Sequence, residues 1–293
     1  MNCMSPLTVE RRYKVSGCSE RVFVPCGHCL ACRIRRRSEW TLRMLLESSY
    51  WDAVSFLTLT YDDEHLPGQM VDVDGMPVLM PTLVKRDVQL YTKRLRKALD
   101  GRRIKFFACG EYGDHTHRPH YHMILFGVHP VTDYAAVCDS WHSGFTMLKS
   151  VQDGGFAYVA GYVVDKLDGM MADDVYRGRQ APFSLCSKGL GKSFLDDVDK
   201  DKLLNDMYIQ GFNGVKYPIP RYFLKHLQQG LDKHDLVVLQ DAKNIESLKE
   251  DKQVWFDRGF ENDFEIAHKM DESNKFFTEE LHKKTGLKLK GVL

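Results

Sequence analysis

Two histidines stand two residues apart in the run Arg118-Pro119-His120-Tyr121-His122-Met123-Ile124-Leu125-Phe126. On a strand, side chains alternate between faces, so His120 and His122 point the same way and Tyr121 points back. Either histidine alone would more often be a core or surface residue. Side by side they form half of a divalent-metal site, and Glu111 supplies a carboxylate if the segment before them pairs as a hairpin. Imidazole and carboxylate ligands with open positions suit Mn²⁺ or Mg²⁺ held jointly with a phosphate oxygen; zinc is also compatible with imidazole. His115 and His117, in the intervening turn, are alternatives that would face solvent or phosphate.

Farther along, Tyr158, Tyr162 and Lys166 recur every fourth residue. On a helix each step of four turns the side chain by only about 40°, so the three share one stripe. Such a pair of tyrosines often only buries two aromatics. Here Ala157, Val159, Ala160, Val163 and Val164 already make an apolar face, and Gly161 costs the helix about 1 kcal/mol relative to alanine. A phenol with a pKa of about 10 is protonated at neutral pH. It becomes a nucleophile toward phosphorus when a cation polarises the phosphate and an ammonium such as that of Lys166 offsets the charge. The products would be a 5′-phosphotyrosine and a free 3′-hydroxyl, a link that can be reversed to rejoin strands.

These groups need a scaffold. Val54–Tyr61 is β-branched and aromatic enough to be a strand, and Asp74-Gly75 marks a hairpin turn within the excursion that follows. Val84, Val88, Tyr91, Leu95 and Ala98 predict a helix beginning near Thr82. Strands are expected over 104–111 and 120–127, joined by Gly113-Asp114-His115-Thr116. A short helix near 134–141 and a strand near 144–149 come next, then a helix from an Asp153 cap to about Leu167. The order predicts an α+β domain with a central, mainly antiparallel sheet and helices on one face. The expected divisions are a basic, cysteine-rich segment (1–33), a core (34–167), an accessory region packed on it (168–230) and a charged, helical or irregular C-terminal extension (231–293).

With 43% hydrophobic and 28% charged residues, the composition is that of an ordinary globular protein. No run of eighteen apolar residues and no signal-peptide core occur, so neither membrane insertion nor export is expected. The net charge of +1 conceals an asymmetry. Residues 1–50 hold nine basic and four acidic residues, 83–105 nine and two, and 231–293 eleven and fourteen. Two basic patches flanking a candidate metal site favour a polyanion partner. Eight cysteines without an export signal point to thiols or metal ligands. Cys26, Cys29 and Cys32, with Cys18, Cys3 or His28 as fourth ligand, would form a structural Zn²⁺ site; plain reduced thiols are the equal alternative. An iron–sulfur site is disfavoured because arginines, not a fourth cysteine, follow. Gly189-Leu190-Gly191-Lys192-Ser193 lacks the earlier glycine of a nucleotide loop, with Cys186 in its place, which argues against nucleotide hydrolysis.

Phe56-Leu57-Thr58-Leu59-Thr60-Tyr61, then His120-Tyr121-His122, then Tyr158, Tyr162 and Lys166 resemble the three motifs of HUH endonucleases. The order and the paired tyrosines resemble the replication-initiator branch. Cys26-Gly27-His28-Cys29-Leu30-Ala31-Cys32-Arg33, the segment around Pro81-Thr82, and Pro220-Arg221-Tyr222 are similar to initiators of gokushovirus-like Microviridae, small single-stranded DNA phages. The resemblance spans roughly residues 20–225. It implies an RRM-like or ferredoxin-like nuclease core and rolling-circle replication in the cytoplasm of a bacterial host. One strand of single-stranded or locally melted origin DNA would be nicked, and host helicase and polymerase would extend the 3′ end. The tyrosines would alternate to release a unit-length circle. Lysine often stands three after a tyrosine in this class; here Gly161 and Asp165 hold those places and lysine comes one later. Arg35, Arg36, Arg118 and Thr60 are the expected nucleic-acid contacts. The alternatives are a plasmid initiator or transposase with the same chemistry, and a non-catalytic single-strand-binding module.

Overall fold

A computed structural model describes residues 3, 6–12, 19–113, 116–151, 154–162, 175–211, 214–227, 253, 269 and 272. Arg36–Asp197 form one compact unit, and the described residues of Met1–Arg35 and Val198–Leu287 belong to a second. In the second unit, β1 (Leu7–Arg12) and β2 (Ser19–Val24) make a hairpin that leads to the start of α1 (Leu30–Ser48).

The first unit is built on a five-stranded antiparallel sheet. Its strands are β3 (Val54–Tyr61), β6 (Lys105–Tyr112), β7 (Pro119–Phe126), β8 (Gly144–Ser150) and β9 (Phe183–Cys186), ordered β8-β3-β7-β6-β9. The fold is α+β, as the order of elements predicts. Between β3 and β6 lie the hairpin β4 (Gly68–Val73) and β5 (Met76–Pro81) and the helix α2 (Lys85–Ala98). Asp74 and Gly75 both have positive φ, at 56° and 83°, which matches the turn that suits the twist of a two-residue hairpin. After β7 come α3 (Tyr134–Asp139), β8 and α4 (Gly155–Gly161).

The helix α2 starts at Lys85 rather than near Thr82, because the preceding amides are spent elsewhere. Thr82 N donates to Pro67 O at 2.9 Å, Leu83 N to the Tyr112 hydroxyl and Val84 N to the Tyr121 hydroxyl. No side chain caps the helix at Val84, a deficit of about 1 kcal/mol. Burying Val88, Tyr91 and Leu95 at about 2 kcal/mol each outweighs it.

Helices cover both faces of the sheet, not one as expected. On one face α2 and α3 pack over Leu57, Leu59, Tyr61, Tyr121, Met123 and Leu125. On the other, Met44 of α1 and Val159 and Ala160 of α4 pack over Phe107, Cys109, Ile124 and Phe126. The middle strands are consequently buried on both sides, and Phe106-Phe107-Ala108-Cys109 and Met123-Ile124-Leu125-Phe126 are unbroken apolar runs. The sheet's edge strand β9 lies beyond the expected core boundary at 167, in a segment whose sequence suggested mixed loops and short elements. The remaining short elements are α5 (Phe194–Asp197), α6 (Lys200–Asp206), β10 (Tyr208–Gln210), β11 (Lys216–Pro218) and α7 (Arg221–Leu227). No helix among the described residues is long and apolar enough to cross a membrane.

A buried ion pair joins α1 to the sheet. Glu47, 1% exposed, receives the Lys105 ammonium at 2.8 Å, the Trp51 indole at 2.7 Å and the Gly191 amide at 2.6 Å. Lys105 also donates to Gly189 O, and Arg43 donates to Leu190 O through two nitrogens. The glycine loop at 189–191 therefore turns its amide toward a carboxylate of its own chain. This loop is structural glue. Glu47→Ala would strand the Lys105 ammonium in a nearly dry site, a change that typically costs about 3–5 kcal/mol. Urea unfolding at neutral pH should show at least about 3 kcal/mol lost; an unchanged midpoint would contradict the role assigned to the pair.

Candidate nuclease site

The register of three strands assembles the polar face. Across β7, His120 stands opposite both Thr60 of β3 and Glu111 of β6, and His122 stands opposite Thr58 and Cys109. Residues directly opposite share a face, so both histidines, Glu111 and both threonines lie on the side covered by α4. Tyr121 points into the other core, completely buried.

His122 is the hub. Its Nδ1 lies 3.1 Å from Thr58 Oγ1 and its Nε2 3.1 Å from Glu111 Oε1. Its ring stacks flat on Tyr162, with centroids 4.7 Å apart and planes 8° from parallel, and lies against Phe56 at 5.8 Å. His120 has a different environment. Its Nδ1 is buried and makes no hydrogen bond of ordinary geometry to the described residues. The ring packs so closely on Gly113 that a Cβ there would come within 3.0 Å of it. Burial holds its pKa below the ordinary imidazole value, and His122 pushes the same way, against the pull of the Arg118 carbonyl and Glu111.

The tyrosines sit above this pair on α4. Tyr158 is 52% exposed, and its ring meets Tyr162 edge-on at 5.1 Å and His122 at 5.8 Å. The Tyr162 hydroxyl donates to the Tyr158 hydroxyl. Burial, that hydrogen bond and the Glu111 charge together hold the Tyr162 proton far more tightly than in a free phenol. Gly154, at φ 87°, begins the helix without a side-chain cap. Anchors come from neighbouring elements instead: Arg37 of α1 donates to Ala157 O at 3.0 Å, and the Cys109 thiol reaches Val159 O at 3.6 Å.

Glu111, His120, His122, Tyr158 and Tyr162 thus come together, while other expected residues stand apart. Arg118 pairs with the exposed Asp63 at 2.6 Å and donates to Tyr61 O. Thr60 flanks His120, and its carbonyl accepts from the Trp141 indole. Arg35 and Arg36 are half-buried on α1. Lys166, Asp153 and Cys18 lie outside the described residues, as do Asp114 and His115 of the turn. Among the described residues, one set of His, Cys, Asp or Glu has all its ligand atoms within 4.8 Å of one another, namely Cys3, Cys26, Cys29 and Cys32. The two histidines and Glu111 are a looser group, in which Glu111 already occupies His122.

Sequence reasoning overlooked four contributors. Thr58 and Phe56 alternate with Thr60 along β3, a signal of the same kind as the histidine pair. Arg37 was read only as part of a basic run. The fourth is β8, where Phe145, Met147 and Lys149 stand opposite Thr60, Thr58 and Phe56 and extend the same face. Phe145 is 68% exposed and Met147 47%.

Residues 54–167, which span both histidines and both tyrosines, match the family model for replication-associated protein ORF2. Replication-associated protein VP4 of Bdellovibrio phage phiMH2K is 32% identical over 219 residues, covering 68% of this chain and 65%, just under two thirds, of that protein. This chain belongs with the phage replication-associated proteins. Replication-associated protein ORF2 of Spiroplasma virus 4 is 29% identical, covering 70% of this chain and 68% of the relative. For ORF4 of Chlamydia phage 1 the identity is 28%, covering 68% of this chain and only 52% of the relative. The N-terminal nuclease domain of minute virus of mice non-structural protein 1 aligns with 56% of this chain and 82% of that domain, at 9% identity and a TM-score of 0.19. That likeness is too slight to inform the site.

The burial of His120 has a measurable sign. The unfolded chain takes up the proton first as pH falls below about 6.5, so this histidine's neutral burial subtracts stability from there downward. Histidine-resolved NMR of metal-free protein should give His120 a midpoint below about 6.5; one above that value would contradict the burial argument.

Proposed function

We propose that this chain is a rolling-circle replication initiator that nicks and rejoins single-stranded origin DNA through a tyrosine. The observation that carries the reading is the stacking of Tyr162 on His122, with Tyr158 hydrogen-bonded beside it. Two phenols over a His-His-Glu face are what a phosphodiester transfer to tyrosine requires.

The donor set suits a divalent ion. His120 has a buried ring nitrogen with no hydrogen bond of ordinary geometry, and Glu111 and His122 are mutual partners at 3.1 Å. His120, His122 and Glu111 would hold Mn²⁺ or Mg²⁺. Such an ion, when bound, supplies Lewis-acid polarisation of the scissile phosphate. The Thr58 hydroxyl both donates and accepts, so it can follow either tautomer of His122 and keep the ring oriented.

The two tyrosines have different starting roles. Tyr158 is exposed and accepts the hydrogen bond from Tyr162, an arrangement that favours the Tyr158 phenolate and leaves the proton on Tyr162. Tyr158 therefore makes the first attack. Its oxygen bonds to phosphorus, the bond from phosphorus to the 3′ oxygen breaks, and that oxygen leaves with a proton as a free 3′-hydroxyl. Tyr162 acts in the second transfer, and Lys166 offsets charge nearby.

The strand would run over the face toward β8, where the exposed Phe145 ring offers a surface on which a base can stack. The Arg118 pair with Asp63 lies at the surface, is worth at most about 1 kcal/mol, and can be exchanged for a phosphate. Arg35, Arg36 and Thr60 complete the expected contacts. Host polymerase and helicase would act on the freed end in the bacterial cytoplasm.

Incubation of purified protein with labelled origin single strand and Mn²⁺ tests the reading. His120→Ala should lose cleavage yet keep most DNA binding. Tyr158→Phe and Tyr162→Phe should each permit a single cleavage but impair circle release. Full cleavage by His120→Ala would remove the metal assignment, undiminished release by either tyrosine variant would remove the alternation, and binding without cleavage by the wild type would leave only a binding module.

A further inference from the structure

We propose that Cys3, Cys26, Cys29 and Cys32 bind one zinc ion as a tetrathiolate that clamps both ends of the β1–β2 hairpin to the start of α1. This inference is independent of the nuclease reading. All four sulfurs lie within 4.8 Å of one another, and those of Cys3 and Cys29 are 3.7 Å apart. Tetrahedral zinc with Zn–S bonds of about 2.3 Å requires sulfurs separated by about 3.8 Å. A four-iron cluster would hold its ligating sulfurs farther apart, at the corners of a larger body. All four cysteines are thiols rather than disulfides, and none belongs to a buried apolar cluster.

The backbone around the sulfurs is arranged for thiolates. Cys26 N donates to Cys3 Sγ at 3.2 Å, and His28 N and Cys29 N donate to Cys26 Sγ at 3.4 and 3.3 Å. Gly27, at φ 82°, permits the reversal that turns those two amides onto one sulfur. Such N–H donors stabilise and orient charged sulfur ligands. Cys29 directly precedes α1 and Cys32 lies in its first turn, where the positive end of a 19-residue helix favours anionic sulfur.

The hairpin supplies the reason for a clamp. It is a separate two-stranded sheet whose Leu7, Val9 and Phe23 are 52%, 40% and 76% exposed. Isolated two-stranded hairpins are marginal in water, and this one buries too little to hold itself. Cys3 precedes its first strand and Cys26 follows its second. Closing the sulfurs on zinc would couple metal binding to folding of the hairpin. The expected fourth ligand Cys18 is then dispensable, and Cys3, the alternative weighed with it, takes the place.

Elemental analysis of the full-length chain, purified under reducing conditions, should find about one zinc per chain. The zinc should remain in Cys18→Ser and in His120→Ala and be lost from Cys3→Ser. Because misfolding alone would also empty Cys3→Ser, Co²⁺ exchanged into the wild type gives a second readout: intense thiolate-to-cobalt absorption with tetrahedral d–d bands. Amide exchange on the wild type should show 7–24 losing protection on chelation while 54–61 and 119–126 keep theirs. Zinc retained by Cys3→Ser, cobalt spectra without thiolate bands, bound iron with visible charge-transfer absorption, or a native disulfide among these cysteines would each overturn the proposal.

Discussion

Everything at the candidate site depends on the register of β7 between its two neighbours. Thr60, His120 and Glu111 form one row across the sheet, and Thr58, His122 and Cys109 form the next. A slip of one residue would turn both histidines into the apolar core and bring Tyr121 out in their place. The register is held from both sides. Below, Tyr121 is bonded to Tyr61 and to the backbone of Val84, and above, Ile124 and Phe126 are packed under α1 and α4. An imidazole pair can sit in a nearly dry strand only because every neighbour along that strand is fixed.

The same packing explains the division of labour among the polar groups. Glu47 and Lys105 are as buried as any site residue, yet each is fully engaged in joining α1, β6 and the 189–191 loop. His120 has a buried nitrogen without such satisfaction, and Tyr158 is half open to solvent. A protein places unspent polar capacity where binding will satisfy it, since an unpaired buried group costs about 1–3 kcal/mol. The rigid ion-pair network therefore belongs to the scaffold, and the looser His-His-Glu group and its tyrosines belong to the chemistry.

Much of this was legible in the sequence, for identifiable reasons. The strands β3, β6, β7 and β8, the Asp74-Gly75 turn and the helices α2 and α3 follow from local periodicity and turn residues. Pairing of β6 with β7 followed from adjacency, and with it the placement of Glu111 beside the histidines. What depends on distant contacts was not legible. The helix α1 was hidden because Arg35, Arg36 and Arg37 read as a charge run, although Leu42, Met44 and Glu47 on the same helix are buried. Covering of both sheet faces could have been suspected from the unbroken runs 106–109 and 123–126. The contribution of β8 required its place beside β3, and the choice of Cys3 over Cys18 required the hairpin that brings residue 3 back to residue 26.

The central claim is that a phenol above the histidine pair, rather than a water molecule, attacks the phosphodiester. Protease digestion of the protein after a single turnover on origin single strand, followed by mass spectrometry, tests this directly. The account predicts a nucleotide joined through its 5′ phosphate to the peptide containing Tyr158, and a companion strand whose 3′-hydroxyl a polymerase can extend. Cleaved DNA with a free 5′ phosphate and no modified peptide, or an adduct on a residue outside α4 and its C-terminal Tyr162, would contradict it.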